Sequence, residues 1–161
     1  MSYTDEERAA NDRRVANDVA KHGCHVISVF DPKEKLPTFS YSIGIQDSAG
    51  APDALVIGLG PKLGHSIINH YCQRVRDGAV FVRGVLYDGF LEGFPVLIEP
   101  LKAARHADYT YGCARYYGDR AYSVVQIIWP STQGVWPWHK SASDWLVANQ
   151  PMLGRVRPDK A

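Results

Sequence analysis

Cysteine is scarce in this chain: Cys24, Cys72 and Cys113 are three in 161 residues, odd in number and widely spaced. That excludes a paired disulfide framework and leads to an expectation of three free thiols in a reducing, cytoplasmic setting. An excess of charge of one sign is missing too. The 18 Lys plus Arg face 17 Asp plus Glu, a formal net charge of +1, and so small a field draws the chain neither to nucleic acid nor to an anionic membrane. No apolar run approaches the roughly 20 residues that span a bilayer, and the opening Met1 to Glu7 lacks the basic and then apolar order of a signal peptide. Internal repeats, low-complexity stretches and long linkers are also lacking. One domain over 1–161 is therefore expected, with an N-terminal helix over about 4–22, a core over about 23–150 and a loose tail over 155–161.

What is present reads as alternating strands and helices. Thr4 with Glu7 forms a capping box, acidic residues fill the first turn, and Val15 and Val19 supply a narrow apolar stripe up to a stop at Gly23. A β-branched strand follows over about 25–30, and then 38–45 alternates: Phe39, Tyr41, Ile43 and Ile45 point to a core, Ser40 and Ser42 to a groove or to solvent. Residues 46–52 read as a loop and 54–59 as a strand apolar on both faces. Gly60-Pro61 opens an amphipathic helix that closes at Gly78. Two strands over 79–87 and 94–100 form a hairpin, a weaker helix covers 104–117, a strand spans 122–129 and a short helix lies near 143–148. Most successive strands lack an intervening helix, which predicts an α+β fold: a mainly antiparallel curved sheet or partly open barrel of about six strands with three to four helices.

Chemistry-bearing residues cluster at 122–138, where Trp129, Trp136 and Trp138 surround a proline- and glycine-punctuated turn. Gln126 sits in the apolar strand leading there, so its amide is either a structural tie or a ligand contact; as a tie it is expected to bond backbone near 130–134. The small side chains of Ser40 and Ser42 leave room for a flat ligand beside the backbone. Arg115 with Tyr116 offers a guanidinium beside an aromatic plane, a pairing that suits a phosphate or carboxylate. His22, Cys24 and His25 do not complete a metal site, because strand alternation sends Cys24 and His25 to opposite faces and no second ligand pair exists. No metal is expected. The motifs name no cofactor, and no nucleophile and base pair stands out to mark an enzyme.

Phe39 to Ile45, the strand and helix that follow, and Gln126-Ile-Ile-Trp-Pro130 with Gly134 and Pro137-Trp138 resemble a bacterial group, domain-of-unknown-function family 4262, over roughly 23–140. Ser42 stands where that family usually has threonine, and Ser131 where it usually has an acid. The resemblance implies no reaction and no ligand. The leading functional expectation is a small-molecule or nucleotide-like ligand-binding domain, its pocket lying between the serine face of 38–45 and the Gln126 to Trp138 region. A protein-protein interaction module of the partner or immunity type, anchored by exposed tryptophans, is the alternative, and an enzyme is third.

Overall fold

The computed structural model describes residues 4–154. The tail expected over 155–161 lies outside the described residues. The chain opens with α1 (Asp5–His22), whose capping box forms as expected between Thr4 and Glu7 and whose end is a left-handed Gly23. The strands β1 (His25–Val29) and β2 (Phe39–Ile43) pair antiparallel, followed by α2 (Ile45–Ala49), β3 (Asp53–Ile57) and α3 (Pro61–Arg76). A hairpin of β4 (Tyr87–Leu91) and β5 (Phe94–Leu101) leads to the short helices α4 (Ala103–His106) and α5 (Tyr111–Tyr117), then β6 (Val124–Ile128) and α6 (Asp144–Asn149).

The six strands form one open sheet in the order β1-β2-β3-β6-β5-β4. Every neighbouring pair is antiparallel except β3 with β6, so the fold is an α+β mixed sheet rather than a closed barrel. Six helices accompany it among the described residues, more than the three to four expected, because the stretch near 104–117 splits in two and α2 occupies the expected loop over 46–52.

Helices cover both faces of this sheet. On one face α3 presents Ile67, Ile68, Tyr71, Cys72 and Val75 to Ala54, Val56, Val96, Ile98, Val125 and Ile127. On the other, Val15 and Val19 of α1 and Cys113 and Tyr117 of α5 pack on Tyr41, Ile43, Leu55, Ile57 and Val124. The α3 cover corrects the placement of Ser40 and Ser42, which are fully buried rather than facing a groove or solvent. Their smallness serves helix packing: a Cβ added to Gly64 would come within 2.5 Å of Ser40 Oγ, so the α3 backbone rides directly over this strand. Ser40 Oγ is satisfied by Ser28 Oγ at 2.7 Å, and Ser42 Oγ donates to Asp53 at 2.8 Å.

The strand expected over 79–87 begins only at Tyr87. Phe81 turns inward to pack on Tyr71, Tyr87 and Phe90, and a left-handed Gly84 bends the chain, which leaves Val80, Val82, Val85 and Leu86 exposed. Alternating valines there record a turn around one anchored aromatic.

Candidate functional site

A groove of about 630 Å³ opens between α1, the β1-β2 hairpin and α5. Its floor follows from strand register. His25 pairs with Ile43 and Ile27 with Tyr41 across β1 and β2, and alternation puts all four on the face toward α1. Its first wall is the stripe Arg8, Asp12, Val15 and Ala16, which helical spacing brings to one side of α1. The second wall is the start of α5, where Gly112 lies so close that an added Cβ would meet Ile43 Cδ1 at 2.7 Å and Tyr41 Oη at 2.8 Å. The Gly112 N–H donates to Tyr41 Oη at 2.9 Å, fixing the ring in the floor, and burial pushes that phenol up to about 12.

Charged groups form the rim in compensated pairs. Arg115 donates from Nε and Nη2 to both Asp12 oxygens at 3.0 and 2.7 Å, a fork that links α5 to α1 across the groove. That guanidinium holds the Asp12 carboxyl below the usual carboxylate range. His25 Nδ1 meets Asp18 Oδ2 at 2.7 Å. Tyr116 donates to Asp47 on α2 at 2.8 Å, and Arg120 forks onto the same carboxylate, so this wall is braced from behind. Tyr111 stands 65% exposed at the mouth. An apolar floor with a charge-balanced polar rim can hold a small molecule that has an apolar body and a polar head.

The residues singled out in the sequence do not converge on one place. Arg115 and Tyr116 line the groove, whereas Ser40 and Ser42 lie beneath α3 on the opposite face of the sheet. Gln126 is a tie, but to the C-terminal segment and not to the 130–134 turn: Nε2 donates to Pro151 O at 2.9 Å and Oε1 accepts from Leu153 N at 3.0 Å. Gln150 mirrors it, its amide accepting from Trp129 N at 2.9 Å and donating to Trp129 O at 2.8 Å. Trp129 is buried, its indole N–H donating to Ile57 O at 2.8 Å. Trp136 and Trp138 are half-buried and stack on each other, with centroids 5.3 Å apart and planes within 8°. The expected exposed tryptophan anchors are therefore not these three; Trp145, at 60%, is the exposed one.

Sequence reasoning missed the α1 stripe, whose signal was the i, i+4, i+8 spacing of Arg8, Asp12 and Ala16. It also missed Asp53, an acid opening an apolar strand. Asp53 is fully buried beneath three donors: Ser42 Oγ at 2.8 Å, Ile45 N at 3.1 Å and Tyr117 Oη at 2.5 Å. Burial raises its carboxyl to about 6 even against those bonds. It has no exposed edge and touches none of the groove-lining residues through these bonds, which makes it a structural knot joining β2, β3, α2 and α5. Among the described residues no cluster of three His, Cys, Asp or Glu could hold a metal ion, and no helix is long and apolar enough to cross a membrane.

A family model described as Domain of unknown function (DUF4262) matches residues 18–143. No curated protein and no solved structure matches the chain.

Proposed function

The chain belongs to the DUF4262 family, and from the groove described above we propose that it binds a small amphipathic organic molecule. The apolar body rests on Ile27, Tyr41 and Ile43, and the polar head meets the Arg115 and Asp12 rim. One observation carries this reading: a concave space of about 630 Å³ with an apolar floor and a few convergent polar groups. That is within the roughly 300 to 1,000 Å³ typical of small-molecule sites. It moves the proposed site away from the serine face and the tryptophans, leaving Arg115 and Tyr116 as the shared residues.

The neutral fluorescent probe phenylnaphthylamine tests it. Saturable binding at one probe per chain, abolished when Ala16→Trp fills the groove, is the expected result. Binding that survives Ala16→Trp in a folded variant, or no saturable binding to the wild type, overturns the proposal.

A second reading, contact with a protein partner, is favoured by a separate observation: Val80, Val82, Val85 and Leu86 are exposed between 43 and 82%, beside the sheet edge at β4. If a second copy of the chain covers them, light scattering finds a dimer that Val80→Glu with Val82→Glu converts to a monomer. A wild-type monomer at high concentration removes that reading.

A further inference from the structure

The groove uses one face of the β1-β2 hairpin; on the other face a pair of thiols meets. Side chains before and along β1 alternate, so while His25 and Ile27 line the groove, Cys24 and Val26 pack into the cluster beneath α3 that contains Cys72. The chain entering β1 is clamped to that helix. Arg76 Nη1 donates to His22 O at 2.5 Å, and a Cβ on Gly23 would meet the Arg76 side chain at 2.6 Å. Cys72 is one turn before Arg76 on the same side of α3, which brings it to the Cys24 side of the cluster beneath that helix. Cys24 is half-buried while Cys72 is buried. The third thiol, Cys113, lies in the cluster on the other face of the sheet, donating to Ser42 O at 3.1 Å, and has no access to either.

We propose that Cys24 and Cys72 are a hydroperoxide-reactive pair, Cys24 attacking first and Cys72 resolving, that closes a disulfide between the start of β1 and α3. The Cys24 sulfur attacks the peroxide: an S–O bond forms, the O–O bond breaks, and the departing hydroxide takes up the thiol proton as water. The Cys72 sulfur then attacks the Cys24 sulfenic acid. An S–S bond forms, the S–O bond breaks, and the hydroxide leaves with the Cys72 proton as a second water. The two sulfurs together lose two electrons, and the peroxide is reduced to two waters. Order of attack follows from access and from charge. The neighbouring Cys72 and the nearby Arg76 hold the Cys24 thiol below the ordinary thiol range against its burial, whereas Cys72 and Cys113 are raised.

Hydrogen peroxide added to the reduced, full chain, followed by peptide mass mapping, tests the pair. The expected product has lost the mass of two hydrogens, links Cys24 to Cys72 within one chain, leaves Cys113 free and melts at higher temperature. Cys24 should be consumed about tenfold faster than Cys113. In Cys72→Ala, Cys24 should stop at a sulfenic acid that dimedone traps; in Cys24→Ser, Cys72 should stay reduced. Circular dichroism reports whether each variant folds, and the wild-type mapping stands without them. Cys24 and Cys113 consumed at equal rates, a wild-type Cys24 that runs on to sulfinic acid with Cys72 untouched, or disulfides only between chains would each overturn the proposal.

Discussion

Replacing Gln126 by Met removes the amide that holds the C-terminal segment to the central strand β6. Met keeps the length of the side chain and is at home in an apolar strand, so packing changes little. What changes is hydrogen bonding. The buried Leu153 N–H loses its acceptor at 3.0 Å, and the half-buried Pro151 carbonyl loses its donor at 2.9 Å. A stranded buried polar group costs about 1 to 3 kcal/mol, and water reaches the carbonyl more easily than the N–H. Counting about 1 kcal/mol for the carbonyl and allowing about 1 kcal/mol for the added apolar burial of Met, the expected net loss is about 1 to 3 kcal/mol. For a chain of this size that is a fall in melting temperature of roughly 2 to 12 °C. Urea unfolding followed by tryptophan fluorescence measures it, since Trp129 is bonded to Gln150 of the same C-terminal segment. The midpoint should fall with the slope unchanged. Gln126→Met with Gln150→Met should lose less than the sum of the single losses, because either alone already loosens residues 150–153. An unchanged or raised midpoint in Gln126→Met would refute the tie.

The remaining expectations address the buried acid, the helix contact and the groove rim. Asp53 is raised from 3.8 to about 6 in the folded state. The fold therefore binds that proton more tightly than the unfolded chain does, and its contribution is complete below about pH 4 and lost as pH rises to about 6, to a depth of about 3 kcal/mol. The difference in melting temperature between wild type and Asp53→Asn should accordingly vary over that window and be flat above it; a difference that does not change with pH contradicts the burial argument. Gly64→Ala should destabilise by about 1 to 3 kcal/mol by pressing on Ser40 Oγ, and Ser40→Ala should recover part of that loss in the double variant, as chemical unfolding would show. Arg115→Ala breaks an exposed ion pair, so stability should shift by less than about 1 kcal/mol. Its effect should appear in binding: Arg115→Ala weakens the anionic probe anilinonaphthalene sulfonate more than neutral phenylnaphthylamine, and Asp12→Asn does the reverse. Fluorescence titration checks both, and equal effects on the two probes would remove Arg115 from the head-group site.

The elements legible in the sequence were those whose local chemistry agrees with their setting. The capping box at Thr4 and Glu7, the Pro61 start and the stripe of α3, and the apolar β3 and β6 are all where their patterns place them. Ser40 and Ser42 were misread because alternation distinguishes two faces but does not say whether the polar face is wet; Gly64 on a distant helix covers it. Residues 79–86 carry strand periodicity, yet tertiary packing of Phe81 among Tyr71, Tyr87 and Phe90 takes precedence over it. Gln126 was recognisable as an anomaly. Its partners were not, since Pro151 and Leu153 are brought to it by α6 and a turn, about 25 residues along the chain. The groove escaped notice for the same reason: α1, β1-β2 and α5 supply it from three separated segments, and only Arg115 and Tyr116 stood out individually.

The central claim is the location of the binding site, and methyl and amide NMR shifts during a phenylnaphthylamine titration test it most directly. The account predicts shifts concentrated on Val15, Ala16, Ile27, Ile43 and Gly112, saturating at one probe per chain and absent in Ala16→Trp. Shifts concentrated instead on Val80, Val82 and Leu86, or around Trp136 and Trp138, would contradict it.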